Sequence, residues 1–422
     1  MEKDLMTDFS LKDFNINEDK PGTVYLCDID LIERSSYPTF PKLPNHALLK
    51  FSSFFKKLGY KVKLVYSVKG IPLFNKKGDV YVGSALYSGN LNRFKRRFKK
   101  SKKFKKSLLI TDIIIGTPLD NMPPEVENCL CDYTEYKEML NTTDIKLGWW
   151  PVNVGFLTRG CYRHCKFCVN RDKKEIIPVN TLEEIYQNKG IRIELLDDNL
   201  LAYEDSPNLF RQIGEFSKEH NVKFKLRNGL DCRNVTPEKL EGLKAAKKAF
   251  DSLHCAWDET KNTFIFKNIM KVKKEYGGEV RCYTLCGVNI HTEEELYKDI
   301  LGLFYRLFCL FKVGVKVVIA LFEDDTEEYV NPYWSLYKTI KGSYYMQKMS
   351  GPTTIKRTTS KSRLHLADKV IEILGEHSWL VTTKVGTIIN DPNLNTKLRA
   401  IAEELGVRHI EIGPEYNKPR CM

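Results

Sequence analysis

Apolar and polar positions along this chain fall into a repeating alternation of strand-length and helix-length patterns. After a polar, acidic stretch at 1–20, read as an N-terminal arm, Thr23-Val-Tyr-Leu-Cys-Asp28 has the length and composition of a strand. Ala47 to Leu58 places its apolar residues at helical spacing, and Gly59 ends it. Lys61–Tyr66, Asp79–Gly83 and Leu108–Ile115 read as three further strands. Strands alternating with helices predict a small, parallel, doubly wound domain over about 21–120. Residues 121–150 hold Met122-Pro-Pro-Glu, Cys129, Cys131 and Trp149-Trp150-Pro151, a turn-rich composition read as a linker.

From Val152 the alternation becomes regular. Strands are predicted at Val152–Leu157, Arg192–Leu196, Val222–Leu226, Ser252–Trp257, Val280–Leu285 and Val313–Leu321. Thr181-Leu-Glu-Glu184 and Thr292-x-x-Glu295 are capping boxes, and Ser206-Pro207 and Thr236-Pro237 open helices with proline in the first turn. Six βα units over 151–349 predict a partial (βα)6, TIM-like barrel, in which chemistry belongs at the carboxyl ends of the strands. Beyond 350 the pattern changes. Leu366–Leu374 and Leu398–Leu405 read as helices, and Trp379–Val385 and His409–Ile412 as short strands, so 350–422 is expected to be a small α/β or winged-helix-like module. The fold class is therefore α/β: a doubly wound (Rossmann-like) domain, the partial barrel and this module.

Composition narrows the setting. At 422 residues and 42% hydrophobic content the chain has room for two to three cores. It contains no apolar run of about 18 residues, and its N-terminus, Met-Glu-Lys-Asp-Leu-Met-Thr-Asp, lacks an apolar signal core. A cytoplasmic protein without membrane partners is expected. Twelve cysteines in a chain this long do not suggest a disulfide scaffold. The net charge of +13 is concentrated in Arg93–Lys106, where ten of fourteen residues are basic. That segment reads as a crossover helix with a solvated basic face, or as an anchor for a nucleic acid or nucleotide.

The chemistry is concentrated in Thr158-Arg-Gly-Cys161-Tyr-Arg-His-Cys165-Lys-Phe-Cys168. Three thiolates at Cys-x3-Cys-x2-Cys spacing can hold three irons of a 4Fe–4S cluster and leave the fourth open to an outside ligand. A structural zinc on the same cysteines and His164 is the alternative, although no second Cys-x2-Cys follows at a suitable distance. Cys282 and Cys286 share a strand face and read either as half of a second metal site with Cys129 and Cys131 or, with them, as core residues. Cys27, Cys255 and Cys309 lie in apolar runs and read as core.

This motif, with Phe167 before its last cysteine and a strand before its first, resembles the radical S-adenosylmethionine (SAM) superfamily over about 151–322. Leu196-Asp-Asp-Asn-Leu200, Asn228-Gly-Leu-Asp231 and Ala256-Trp-Asp258 are similar to the strand ends of the subset with an N-terminal cobalamin-binding-like domain. The resemblance implies an enzyme in which a reduced 4Fe–4S cluster on Cys161, Cys165 and Cys168 cleaves SAM to a 5′-deoxyadenosyl radical that abstracts hydrogen from a substrate. It implies that Asp197, Asp198 and Asn199 hold the SAM amino group, in place of the family's Gly-Gly-Glu. By the same resemblance Arg227 takes the SAM carboxylate, Asp258 the ribose hydroxyls, and Gly287 lets adenine approach the backbone. For each of these, an ordinary cap or turn role is the competing reading. A flavodoxin- or ferredoxin-type electron donor is implied as partner. The subset's Asp-x-His-x-x-Gly signature is absent: Asp28-Ile-Asp30 has no histidine in register, so cobalamin with a histidine ligand is not expected. A cobalamin-dependent radical methyltransferase, and a nucleic-acid-binding protein with a structural metal, are the alternative readings.

Overall fold

Four parallel strands form the N-terminal sheet of the computed structural model: β1 (Thr23–Asp28), β2 (Lys61–Val65), β3 (Val80–Ala85) and β4 (Leu108–Asp112), in the order β2-β1-β3-β4. The structure describes residues 22–33, 43–67, 70, 79–85, 94, 108–112, 124–147, 150–165, 168, 175–322, 332–350 and 355–416. Helix α1 (His46–Lys57) packs on this sheet because Ala47, Leu48, Phe51 and Phe55 recur on one face and are buried against Val24, Leu26, Val80 and Val82. Burying each phenylalanine contributes about 1.5–3 kcal/mol. Asn45 caps α1 by accepting the Leu48 N–H at 3.4 Å, and Gly59, at φ +81°, turns the chain into β2. The basic segment 93–106 lies outside the described residues except for Phe94, which is buried with Cys27, Ile29, Val65 and Tyr81.

The segment expected to be a linker is partly helical and packed. Helix α2 (Thr134–Thr142) puts Tyr136 and Met139 into a cluster with Leu31, Leu49, Cys131 and Tyr133. Proline and turn residues before it hid this helical face.

By its contacts the chain divides into two compact units, residues 1–203 with 215–228, and 204–214 with 229–422. In the first, β5 (Val152–Gly155), β6 (Arg192–Leu195) and β7 (Lys223–Leu226) form a parallel sheet in that order, with Val152↔Arg192 and Arg192↔Lys223 in register. Between β5 and β6, α3 (Leu182–Ile185) opens with the predicted Thr181–Glu184 capping box. Helix α4 (Ser206–His220) follows β6 and contributes its last turns to this unit, where the Phe216 ring meets Phe224 of β7. Glu194 and Arg192 point to the opposite face from Ile193 and Leu195, as strand alternation requires.

In the second unit α5 (Pro237–Ala245) precedes β8 (Ser252–Ala256), which pairs in parallel with β9 (Glu279–Cys286), and β9 with β10 (Lys316–Leu321). Between them lie α6 (Phe264–Tyr276), ended by Gly277 at φ +66°, and α7 (Glu293–Lys312), opened by the predicted Thr292–Glu295 capping box. Leu253, Cys255, Cys282, Thr284, Val317 and Ile319 make one buried face.

The C-terminal region corrects the expectation. It contains α8 (Trp334–Ser350), α9 (Leu364–Leu374) and α10 (Leu394–Glu404), with short helices between, and no strand among the described residues. Trp379–Thr382 and Val385–Ile389 are helical turns that bury Leu380, Val381 and Ile388. The backbone of Ile412 is paired by a side chain instead of a strand: Asn395 Nδ2 donates to its carbonyl at 3.0 Å and Asn395 Oδ1 accepts its N–H at 3.3 Å. Among its described residues the module is helical, with neither the sheet of an α/β module nor the strands of a winged helix. No helix of the described residues is long and apolar enough to cross a membrane.

Candidate functional site

The cysteine loop leaves β5 through a narrow neck. Thr158 and Arg159 pair antiparallel with Pro178 and Ile177, and the Val179 N–H donates to the Leu157 carbonyl at 2.9 Å. This pairing joins the two sides of the chain at the base of the cysteine motif. Gly160 sits at φ +108°, and a Cβ there would come within 1.6 Å of the Glu175 carbonyl oxygen, so glycine is required.

The run at the end of β6 grips this neck residue by residue. Asp197 Oδ1 accepts the Thr158 N–H at 2.5 Å, the Thr158 hydroxyl at 2.8 Å and the Leu157 N–H at 3.1 Å. Asp198 Oδ2 accepts the Gly160 N–H at 2.9 Å, and Asn199 Nδ2 donates to Cys161 Sγ at 3.5 Å. Behind them, Asn228 Nδ2 donates to the carbonyls of Leu196 and Asp197 at 2.9 and 3.1 Å. Burial pushes the Asp197 carboxyl up to about 6, and the bonds from Thr158 and Leu157 oppose the rise. Asp197, Asp198 and Asn199 are thus brought together with the first cysteine, and all three brace its loop.

The donor set suits a thiolate-bound iron–sulfur group. Cys161, Cys165 and Cys168 are half-buried, whereas the other eight described cysteines are buried. The Cys168 N–H donates to the Cys165 carbonyl at 2.9 Å, which draws the Cys-x2-Cys pair into one turn. The N–H···S contact from Asn199 is the kind of outer contact that tunes a cluster. Phe167 lies outside the described residues. Cys129 and Cys131 are buried, as are Cys282 and Cys286, and their thiols face backbone carbonyls: Glu125, Val154, Tyr283 and Ala320 respectively. Burial pushes the Cys131 thiol up to about 12, the behaviour of a core residue.

Arg227 Nε lies 2.6 Å from Oε2 of Glu194, which is fully buried, and Arg192 Nη1 lies 3.9 Å from Oε1. The Arg227 N–H does not point along that line, so the contact is charge pairing rather than a hydrogen bond. Its Nη2 is also buried and has no hydrogen-bond partner among the described residues. Sequence reasoning missed Glu194, although a carboxylate inside Arg192-Ile-Glu-Leu-Leu196 is the kind of buried charge that calls for a partner.

A second network joins the neck to the N-terminal domain. Arg159 lies 3.7 Å over the Phe156 ring, and its Nη2 is 3.4 Å from Glu127 Oε1. Lys50 Nζ donates to the Glu127 carbonyl at 2.6 Å, and the His46 ring meets Phe156 edge-on at 5.3 Å. Burial, then Lys50 and Arg159, hold His46 well below the usual histidine range. At the end of β1, Asp28 accepts the Leu31 N–H at 3.0 Å and the Tyr136 hydroxyl at 2.8 Å. Asp28 is thereby a structural cap, and Asp28-Ile29-Asp30 supplies no imidazole for cobalt.

In the second unit, Asp258 follows β8, and burial pushes its carboxyl up to about 6 against the opposing charges of Arg306 and Arg233. Arg306, fully buried on α7, donates to the carbonyls of Trp257 at 2.8 Å, Asp258 at 2.6 Å and Leu285 at 2.9 Å. Gly287 follows β9 at φ +80°, and its N–H donates to Asp299 Oδ2 at 2.9 Å. The sequence reading passed over Arg306, whose signal is a lone arginine within Leu303-Phe-Tyr-Arg-Leu-Phe-Cys-Leu310.

No family model matches the chain, and no curated protein matches it. Solved structures do. It is similar to a radical S-adenosylmethionine methyltransferase, TsrM, from Kitasatospora setae with cobalamin and a [4Fe-4S] cluster bound, at 10% identity over 72% of this chain and 75% of that one, with a TM-score of 0.49. TsrM with tryptophan substrate and a SAM analogue is similar at 10% identity over 71% and 72%, TM-score 0.48. SuiB from Streptococcus suis bound to S-adenosylmethionine is similar at 13% identity over 54% and 52%, TM-score 0.37. These distant likenesses are of shape alone.

Proposed function

We propose that the chain is a radical SAM enzyme that carries a 4Fe–4S cluster on Cys161, Cys165 and Cys168. The observation that supports it is the tethered loop: three half-buried thiols, held at the neck by Asp197 and Asp198 and touched by Asn199. When bound and reduced, such a cluster supplies the electron that cleaves SAM to a 5′-deoxyadenosyl radical. The chain's own residues bind and orient. Asn199 orients Cys161, and Asp198 holds the Gly160 backbone from which the cysteine motif starts. Arg227 offers a guanidinium to the SAM carboxylate, with Glu194 setting its orientation. Asp258 is read as the partner of the ribose hydroxyls, and Gly287 as the place where adenine lies against the backbone. A flavodoxin- or ferredoxin-type protein is the electron donor of this reading, and hydrogen abstraction its outcome.

The test is anaerobic reconstitution with iron and sulfide, followed by iron analysis, electron paramagnetic resonance and assay of 5′-deoxyadenosine from SAM under reductant. About four irons per chain and 5′-deoxyadenosine formation are expected. A Cys165→Ala chain that still makes 5′-deoxyadenosine refutes the proposal, as does a well-folded wild-type chain that takes zinc and no iron.

A further inference from the structure

Helix α7 presents three unusual residues to the ends of β8 and β9. Asp299, Gly302 and Arg306 are three and four residues apart, so they lie along one face. Arg306 is a buried cation whose hydrogen bonds go to backbone carbonyls: those of Trp257, Asp258 and Leu285, together with Gly302 in its own helix at 3.2 Å. Asp299 does the complementary work on the amide side, accepting the Gly287 N–H at 2.9 Å and the Tyr337 hydroxyl of α8 at 2.5 Å. Gly302 allows the close approach, since a Cβ there would lie 2.6 Å from Thr260 Oγ1. Burying a guanidinium costs several kcal/mol unless its donors are satisfied, so an arginine here is an expensive way to fill a helix face. What it does that an apolar residue does not is fix three carbonyls at two neighbouring strand ends.

We infer that Arg306 and Asp299 are positioning residues for SAM: they hold Asp258 and Gly287 in the geometry that grips the nucleoside half of the cofactor. The inference rests on the function proposed above and goes beyond it by assigning that grip to residues of α7. Tyr337 acts through Asp299 as the outermost member of the set.

The test uses the full chain with its reconstituted cluster. SAM affinity is measured by equilibrium dialysis with labelled SAM, and KM and kcat for 5′-deoxyadenosine formation are measured beside it. Asp299→Asn and Tyr337→Phe are expected to weaken SAM binding, Asp299→Asn by about tenfold, the scale of one charge-assisted hydrogen bond. Iron content is expected to stay at the wild-type value, KM to rise and kcat to stay within about twofold. Arg306→Lys is expected to recover part of the affinity lost in Arg306→Gln. If Arg306→Gln does not fold, Tyr337→Phe still decides. Wild-type SAM affinity in iron-loaded Asp299→Asn and Tyr337→Phe chains overturns the inference, and so does an equal fall in kcat and kcat/KM without a change in KM. A wild-type chain that takes up no iron overturns the proposed function and this inference together, so the two failures are told apart by the wild-type control.

Discussion

Replacing Asp197 separates two things its carboxylate does, accepting hydrogen bonds and carrying charge. The group is 4% exposed and takes the Leu157 and Thr158 N–H groups and the Thr158 hydroxyl. Its pKa is raised from 3.8 to about 6. At about 1.4 kcal/mol per unit, holding the ionised form in the fold costs roughly 3 kcal/mol relative to the protonated form. The sign follows from the direction of the shift. The folded chain binds this proton more tightly than the unfolded chain, so the contribution is full below about pH 4 and is lost as pH rises through about 6. Asparagine keeps an oxygen for the three short contacts and has no charge to desolvate. Its amide nitrogen replaces Oδ2, whose contact with the Leu157 nitrogen is the longer one, 3.3 Å. Alanine leaves two backbone N–H groups and a hydroxyl unpaired in a buried neck, at about 1–3 kcal/mol each where water does not replace the acceptor.

Urea denaturation at pH 7.5 and pH 5 therefore has a definite expected outcome. At pH 7.5 Asp197→Asn is expected to match or exceed wild-type stability, and Asp197→Ala to be the less stable of the two variants by roughly 3–9 kcal/mol, the loss of three pairings that asparagine keeps. The advantage of asparagine over aspartate is expected to shrink at pH 5, where the wild-type carboxyl takes up its proton. Iron bound after reconstitution is expected to follow the same order, since the neck shapes the loop. If Asp197→Asn is as damaging as Asp197→Ala at pH 7.5, the negative charge itself holds the neck and the desolvation reasoning is wrong.

Gly160→Ala is expected to abolish iron uptake while leaving the rest of the chain folded, because the new Cβ meets the Glu175 carbonyl; normal iron stoichiometry in that variant would contradict the neck geometry. His46 is held neutral in the fold, so its contribution is present above the unfolded value near 6.5 and is lost as pH falls below it. Stability measured between pH 7.5 and 5 is expected to fall more steeply in wild type than in His46→Phe, and identical slopes would exclude His46 as the titrating group. Thr292→Ala removes the acceptor of the Glu295 N–H in the α7 capping box, and a loss of about 0.5–2 kcal/mol is expected in the denaturation midpoint.

The parts of this fold legible in the sequence are those decided by near neighbours. Both capping boxes and the strand patterns of the regular βα series are signals within a few residues, and helices open and strands form at those places, the last strand starting three residues later than its pattern. The C-terminal module was misread because Trp379-Leu-Val-Thr-Thr-Lys-Val385 has β-type composition over a stretch too short to fix its own structure. What decides there is the partner, and Asn395 supplies to Ile412 what a neighbouring strand would have supplied. The same limit applies at the site. Cysteine spacing is local and could be read, but the roles at the β6 end depend on contacts 38 to 40 residues away in sequence. An Asp-Asp-Asn run at a strand end announces polar chemistry without saying which N–H groups it will meet.

Both units meet one physical problem in a related way. The carboxyl end of a parallel strand leaves backbone groups without ladder partners, and the loop that follows cannot bury those groups unless something else satisfies them. At the end of β6, Asp197 and Asp198 take the N–H groups of the neighbouring loop; at the ends of β8 and β9, Arg306 takes carbonyls and Asp299 takes an N–H. A guanidinium or a carboxyl group suits this task because one such group accommodates three or four partners at once. The desolvation cost then purchases a fixed loop shape. This makes a buried charge within an apolar run, such as Arg306 in Leu303–Leu310 or Glu194 in Arg192–Leu196, a more specific sign of where a loop must be rigid than the polar residues of the loop itself.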